Sequence, residues 1–361
     1  MNSLKQQVRF CSSADGTRIA YAVSGEGPPL VLAYGWPTHL EYQWRHLSHQ
    51  PLMGMLSQRY KLLRYDMRGC GLSDRNAPEF SFDAWLDDFA AVIVASGMDR
   101  FPIMGVGPGG VIAIEYAARH PEKVSHVLLH GAFARGRLKQ DAPQEIEIAQ
   151  LRYDMARMGW STEPHALFFL RAFVTAWQPG ASADRMRYLC ELQKAASTGD
   201  NAVRMMQILD NVDVTASARS IQCPALVTHT DRQRVVPIEE GRYCASLIPN
   251  ARFVQLESEN SRLTENEPAW ARLQEELAAF VPARVDTRLQ TPFSLLSSRE
   301  AQVLELIAQG RDNAQVAASL SLSEKTVRNY ITCIFAKLEV KNRSQAIVLA
   351  RDSGFGKPRA T

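Results

Sequence analysis

Hydrophobic and polar residues in the first part of the chain follow strand-like and helix-like spacings in turn. Val8-Arg9-Phe10 and residues 19–23 alternate on either side of Asp15-Gly16, a dipeptide that favours a hairpin turn. Residues 30–34 form a continuous apolar run, typical of a strand buried on both faces of a parallel sheet. Helix-like stretches over 42–57 and 82–96 flank another strand at 61–66. This order predicts an α/β fold with a doubly wound, mostly parallel sheet.

The same alternation continues to residue 131, stops, and resumes near residue 224. Further strands are predicted at 101–104, 127–131, 224–229 and 251–256, and a last helix at 269–280. Residues 135–218 instead have the pattern of several helices. Their large apolar side chains are expected to lie mostly in a core, with a few facing a cavity; they are Trp160, Phe168, Phe169, Phe173, Trp177, Tyr188, Met205 and Met206.

A separate helical pattern follows residue 294. Residues 283–294 are polar, contain Pro292 and show no periodicity, which indicates a linker. Ser297 to Glu300 is a capping box opening a helix that ends at Gly310. Helices are also predicted over 313–320, from the cap Ser323 to about 338, and over 344–352. The chain is thus expected to comprise a large domain at 1–282, the linker, and a small all-α four-helix domain at 295–361.

The amino-acid composition excludes several classes of protein but does not identify a function. Of 361 residues, 46% are hydrophobic and 22% charged, which is ordinary for a globular protein. No apolar run approaches the roughly 20 residues that span a bilayer, and the start lacks a signal-peptide core, so we expect no membrane contact and a cytoplasmic location. The six cysteines are scattered singly, and no metal site, disulfide or cofactor is predicted. Residues 294–361 carry a net charge of +4 against +3 for the whole chain, which mildly favours a polyanionic partner.

Two glycine-rich segments carry the most specific signal in the large domain. Gly105-Val106-Gly107-Pro108-Gly109-Gly110 joins a predicted strand to a helix and resembles the nucleophile elbow, G-x-S-x-G, of α/β-hydrolases. Residues 65–74, YDMRGCGLSD, are similar to the D-x-R-G-x-G-x-S loop of that family. The resemblance covers residues 8–281. It implies an α/β-hydrolase fold whose helical cap, about 135–218, covers a pocket above the elbow.

At each catalytic position of that family, this sequence has a different residue. Gly107 takes the place of the nucleophilic serine, Gln233 that of the acid and Ser261 that of the histidine base. Pro108 stands where a backbone N–H would stabilise the oxyanion, and proline has no N–H; the N–H of Trp36 could still serve. We therefore expect no hydrolase activity and no catalytic residues.

Removal of the serine and histidine side chains would leave room for a bound molecule. The expected effector is small and largely apolar, such as an ester, lactone or other carbonyl compound that is held intact above the elbow. The predicted pocket residues are Tyr34, Trp36, His39, Gly107, Pro108, Phe169, Phe173, Trp177, Gln233 and Ser261.

Two alternatives stay open at this point. In the first, a hydrolase or lyase would use a relocated catalytic centre drawn from His39, Cys70, Ser73, Asp231 or Ser258, although each has a simpler structural explanation. In the second, the large domain would serve protein contacts alone.

The small domain has the pattern of a helix-turn-helix, with two short helices joined by Ser321-Leu322-Ser323. Its landmarks resemble the LuxR-type DNA-binding domain throughout: residues 296–300, 307–310, 313–317, 323–328, 336–338 and 342–346. It departs at Tyr330 and Cys333, where the family often has His and Asn. The resemblance implies that the third helix enters the major groove of double-stranded DNA. The predicted DNA-binding residues are Asn313, Lys325, Thr326, Val327, Arg328, Asn329, Lys337 and Arg343.

The predicted DNA-binding residues are expected to make two different kinds of contact. Lys325, Thr326, Arg328 and Asn329 lie on the exposed face early in the third helix and are predicted to reach base edges, whereas Lys337 and Arg343 suit phosphates. Together the two domains predict a ligand-responsive transcription regulator. We expect a homodimer on its operator, formed partly through Ile347, Leu349 and Ala350 of the last helix.

Overall fold

The structure is a computed structural model that describes residues 5–140, 142–281, 296, 298–320, 322–338, 340, 342–352 and 355. It divides into two compact units, residues 1–283 and 284–361. The predicted linker at 283–294 and the turn residue Ser321 lie outside the described residues, as does the capping residue Ser297.

The first unit is built on one eight-stranded sheet, in the order β1-β2-β4-β3-β5-β6-β7-β8. The strands are β1 (Gln6–Ser12), β2 (Arg18–Ser24), β3 (Pro29–Tyr34), β4 (Lys61–Tyr65), β5 (Phe101–Val106), β6 (Val124–His130), β7 (Ala225–Thr230) and β8 (Ala251–Leu256). Among the strand pairs of this sheet, β1–β2 and β2–β4 are antiparallel and the other five are parallel. The α/β class with a mostly parallel sheet is confirmed.

Helices cover both faces of this sheet. They are α1 (Leu40–Arg45), α2 (Pro51–Arg59), α3 (Phe82–Ser96), α4 (Gly109–Arg119), α5 (Gln144–Gly159), α6 (Ala166–Trp177), α7 (Ala183–Ala196), α8 (Gly199–Asn211), α9 (Thr215–Arg219), α10 (Ile238–Leu247) and α11 (Pro268–Phe280). On β3, Val31 and Ala33 join a core with α3 and α4, whereas Leu30, Leu32 and Tyr34 join one with α2 and α11. Both sides of the strand are buried, which explains its unbroken apolar run.

The helix predicted over residues 42–57 is two helices in the structure. α1 ends at Arg45, a short 3-10 turn covers Leu47–His49, and α2 begins at Pro51. Proline has no N–H to donate and disfavours helical geometry at the residue before it. Gln50 accordingly adopts φ −130° and ψ 61°, outside the helical region.

Between β6 and β7 the chain forms the helical cap, α5 to α9. Of the apolar side chains predicted there, Phe173, Tyr188, Met205 and Met206 are buried. Phe168 is instead 71% exposed, so it is an exception to the prediction that most of these side chains lie in a core.

The loop after β4 is tied into the sheet and the cap by polar contacts. Arg68 donates from Nε and Nη2 to the two carboxylate oxygens of Asp88 on α3, each at 2.7 Å. The same side chain donates from Nη1 to Asp15 and to the carbonyl of Glu79, both at 2.8 Å. On the cap side, Ser197 Oγ donates to the carbonyl of Gly69 at 2.9 Å. This loop therefore joins the cap to the sheet.

The second unit consists of α12 (Ser298–Ala308), α13 (Asn313–Leu320), α14 (Glu324–Leu338) and α15 (Arg343–Asp352). Ser323 Oγ accepts from the N–H of Thr326 at 3.1 Å, so the predicted cap of the third helix is present. A small core fixes the helices against one another. It includes Val303, Leu304, Ile307, Val316, Val327, Ile334 and Leu338, all buried.

None of the helices in the described part of the chain has both the length and the apolar composition needed to cross a bilayer.

Candidate functional site

The site begins at the turn between β5 and α4. Gly107 has φ +52°, in the left-handed region that favours glycine, and its N–H donates to the carbonyl of His130 at 2.8 Å. Pro108 adopts helical angles, φ −59° and ψ −23°, at the N-cap of α4, where a missing N–H costs no helical hydrogen bond. A Cβ added at Gly107 would meet none of the described atoms within 4 Å. The turn thus has the elbow's shape, with open space where a side chain would stand.

A cavity of about 440 Å3 adjoins this turn, within the usual size range for small-molecule sites. Its lining includes Gly107 and Pro108 from the elbow and Phe173 and Trp177 from α6. Trp36 lines it as well, stacked on Trp160 with ring centroids 5.6 Å apart. The cap and the carboxyl ends of the strands therefore enclose it together.

The acid and base positions of the hydrolase pattern meet at this cavity. Gln233 and Ser261 both line it, and Ser261 Oγ donates to Gln233 Oε1 at 2.6 Å. Gln233 Nε2 lies 2.9 Å from His229 Nε2, which is also 3.0 Å from the carbonyl of Val236. An amide cannot act as a carboxylate and a hydroxyl is no base at neutral pH. The two positions are joined by a mutual hydrogen bond.

A buried histidine lies beside this pair. Burial, followed by the neighbouring imidazole of His229 and the charge of Arg262, lowers the pKa of His130 to about 4. Its Nδ1 lies 2.9 Å from the hydroxyl of Thr228. His130 is therefore neutral at physiological pH.

This shift predicts a pH-dependent loss of stability. Between about pH 6.5 and 4 the unfolded chain binds a proton at His130 that the folded chain does not, so the free energy of unfolding falls as the pH falls. We expect His130→Gln, which cannot titrate, to escape up to about 3 kcal/mol of that loss. Urea unfolding across this pH range measures it, with the exposed His165→Gln as control. Parallel profiles for wild type and His130→Gln would contradict the assignment.

Three predicted pocket residues do not line the cavity. Tyr34 shares its face of β3 with Leu30 and Leu32, and so points into the core on the other side of the sheet. His39 caps α1, with Nδ1 accepting from the N–H of Tyr42 at 3.4 Å. Phe169 packs on Phe168, one helical turn before Phe173, the first residue of α6 to line the cavity.

The residues considered for a relocated catalytic centre have structural contacts instead. Ser73 Oγ donates to the carbonyl of Asp66 at 2.6 Å and accepts from the N–H of Ala20 at 2.9 Å. Asp231 Oδ1 accepts from the N–H of Ser258 at 3.0 Å. Cys70 is fully buried, and burial raises the pKa of its thiol to about 12. None of them is among the lining residues.

Sequence reasoning missed the charged part of the lining. Arg135, Arg137, Arg152, Arg234 and Arg262 all border the cavity. Arg262 directly follows the base position, so its place in the chain was a usable signal.

The residues of α5 that line the cavity were not predicted either, although the sequence contains a signal for them. Ile148, Leu151, Arg152 and Met155 line the cavity and follow helical spacing along one face.

On the second unit, three of the predicted base-reading residues are exposed at the start of α14: Lys325, Arg328 and Asn329. Thr326 is half-buried and takes part in the cap through Ser323. Val327 is fully buried in the small core, so its predicted contact with DNA is wrong; its side chain faces the other helices.

The residues predicted to contact phosphate make contacts within the unit. Lys337 Nζ pairs with the carboxylate of Glu300 at 2.7 and 2.9 Å. Arg343 donates to Asn313 Oδ1 at 2.9 Å and also contacts the carbonyl of Arg311. These side chains stabilise the packing of α12, α13 and α15 around α14. Their contact with phosphate stays a prediction.

Each of the two units matches a known family. The family of the alpha/beta hydrolase fold matches residues 28–259, and the luxR family of bacterial regulatory proteins matches residues 294–350. The chain belongs to the α/β-hydrolase fold family. Its C-terminal part is a LuxR-type DNA-binding domain, so the protein is a DNA-binding regulator fused to a hydrolase-fold domain.

Individual relatives fall into the same two groups. A pyrrolizixenacetamide deacetylase of Xenorhabdus hominickii is 23% identical over 250 residues, 69% of this chain and 90% of the relative. An esterase structure from Exiguobacterium antarcticum has a TM-score of 0.65 at 20% identity, covering 76% of this chain and 99% of the esterase. The transcriptional regulatory protein DesR of Bacillus subtilis is 48% identical over 62 residues, 17% of this chain and 31% of DesR.

Proposed function

We propose that this protein is a ligand-responsive transcription regulator whose hydrolase-fold domain binds a small molecule without cleaving it. The observation that carries the proposal is Gly107, which places no nucleophile at the turn bordering a cavity of about 440 Å3. Pro108 removes an oxyanion donor at the next position. Gln233 and Ser261 complete the set of altered positions.

The expected cost to catalysis is large. Loss of one oxyanion donor typically lowers turnover by about 10²–10³, and loss of the triad leaves only the weak effect of binding and the remaining oxyanion contacts. Glycine fits the left-handed turn and proline fits the start of the helix, so the fold tolerates both changes. A site of this kind holds an ester, lactone or related carbonyl compound intact.

Regulation requires more than tight binding. A ligand shifts an equilibrium between two states of the protein only if it binds one of them more tightly. The cap helices α5 and α6 supply part of the lining, so an occupied cavity changes what those helices pack against. The proposed readout is the affinity of the LuxR-type domain for its operator.

We also propose a homodimer, since helix-turn-helix domains commonly read paired half-sites. The last helix cannot contribute Ala350 to such an interface, because that side chain is fully buried. Val348, 60% exposed on the same helix, replaces it in the proposed contact.

The full-length protein is expected to show no turnover of aryl esters or lactones above background, and Gly107→Ser alone is expected not to create it because base and acid are also missing. Candidate carbonyl compounds are expected to raise the melting temperature instead. Spectrophotometric assays and thermal shifts measure the two effects on one preparation. Turnover that a single pocket substitution abolishes would establish a relocated catalytic centre. Failure of every co-purification and thermal-shift search would favour a domain used only for protein contacts.

A further inference from the structure

The arginines around the cavity differ in how their charge is balanced. Arg135 donates to both carboxylate oxygens of Glu240, at 2.9 and 3.1 Å. Arg137 pairs with Glu145, and Arg152 pairs with Asp210 at 3.1 Å. Within the described part of the chain, neither Arg234 nor Arg262 has a carboxylate within 4.0 Å of its guanidinium, and of these two Arg234 is exposed whereas Arg262 is half-buried. The charge at Arg262 is therefore not balanced by an ion pair of this kind.

Arg262 is fixed in place by aromatic rings. Its guanidinium carbon lies 4.4 Å from the ring centre of Tyr34 and 4.8 Å from that of Trp177. Nη1 is shielded from solvent and has no hydrogen-bond partner among the described residues. A guanidinium held this rigidly loses little conformational freedom when it binds an acceptor.

Other residues that line the cavity also have a buried hydrogen-bond donor without a partner in the described structure. The indole Nε1 of Trp36 and Nε of Arg137 are buried without a partner in the described structure, as is Nη1 of Arg262. All three atoms are hydrogen-bond donors, and all three residues line the cavity. Buried donors normally find an acceptor, and a ligand with acceptor oxygens would supply one wherever such a donor faces the cavity. A water molecule accepts hydrogen bonds but cannot balance the charge of Arg262.

The rest of the lining is suited to an apolar body. Phe173, Trp177, Met155 and Met206 contribute aromatic rings and thioether side chains. An anion with a single charge and a planar pair of oxygens matches the guanidinium of Arg262, which two aromatic rings hold in place.

We propose that the effector is an amphipathic carboxylate, with its carboxylate on Arg262 beside Ser261 and its aryl or alkyl body between the cap and the elbow. This inference rests on the proposed function and narrows its ligand class from carbonyl compounds in general to the free acid. The position that serves ester cleavage in hydrolases would here hold the kind of molecule that cleavage releases.

The test compares three forms of one carbon skeleton on the full-length protein. Phenylbutyrate and octanoate are each measured against their primary amides and methyl esters by calorimetry and thermal shift, with acetate and chloride as small-anion probes. We expect the acids to bind roughly 10- to 100-fold more tightly than their neutral forms. Arg262→Gln should remove that preference, while Arg232→Gln, at an exposed arginine outside the lining, should keep it.

Each outcome decides the proposal. Equal binding of acids and neutral forms overturns the carboxylate assignment and leaves ligand sensing in place. If only acetate or chloride stabilises the protein, the cavity is a site for small anions and the proposal is overturned. The proposal is also overturned if none of the acids binds. If Arg262→Gln fails to fold, Arg262→Lys keeps the charge without the planar fork, and a reduced acid preference in that variant supports the assignment.

Discussion

Asp88→Ala is expected to lower the free energy of unfolding of the first unit by about 3–5 kcal/mol. The side chains of Arg68 and Asp88 are each 1% exposed, and two hydrogen bonds of 2.7 Å join them. Removing the carboxylate leaves a buried guanidinium whose main partner has gone. Breaking a buried pair in this way costs far more than losing an exposed one.

The matched control lies on the same helix. Asp83 of α3 pairs with Arg119 across 3.4 Å, but its side chain is 81% exposed, so Asp83→Ala should cost at most about 1 kcal/mol. Urea unfolding followed by tryptophan fluorescence isolates the first unit, because all six tryptophans precede residue 271. Similar losses in the two variants would show that the buried pair contributes little beyond a surface pair.

The consequence of Asp88→Ala should extend to the cap. Arg68 belongs to the loop whose Gly69 carbonyl accepts from Ser197, and the N–H of Gly71 donates to the carbonyl of Ala196 at 2.7 Å. A loosened loop therefore releases the end of α7. Hydrogen exchange at α7 and α8 should rise in the variant before exchange at the central strands.

The elbow and the helix-turn-helix could be predicted from sequence because each depends on local geometry. Gly107 lies between a strand and a helix, and φ +52° is the kind of angle that glycine adopts without strain. The cap at Ser323 likewise depends on residues within one helical turn.

Side-chain direction was harder to predict, for a physical reason. β3 is buried on both faces, so its sequence does not reveal which face Tyr34 shares, and the pocket prediction placed it in the wrong layer. Val327 stands among exposed polar residues at the start of α14, but its helical spacing to Ile334 and Leu338 predicts an inward side chain, and that direction is confirmed. The pairing of Lys337 with Glu300 spans 37 positions and leaves no local signal.

Arg328→Ala and Lys325→Ala are each expected to weaken specific operator binding by about 1–3 kcal/mol, roughly 5- to 150-fold, if the side chain makes a bidentate base contact. Both residues are exposed on the face of α14 that the small core leaves open. The operator is first selected from random DNA. Binding to it and to a scrambled duplex is then measured at one fixed salt concentration, since the electrostatic part of the affinity depends on salt.

Lys337→Gln provides the contrasting variant. Its ammonium already pairs with Glu300 at 2.7 Å, so its loss should reduce affinity for both duplexes by a similar, smaller factor. The specificity ratio, operator over scrambled, should therefore fall with Arg328→Ala or Lys325→Ala and stay constant with Lys337→Gln. An unchanged ratio in the two α14 variants would move base recognition away from these side chains. Because α14 is held by Val327, Ile334 and Leu338, such a result would point to the residues flanking the helix rather than to a different orientation of it.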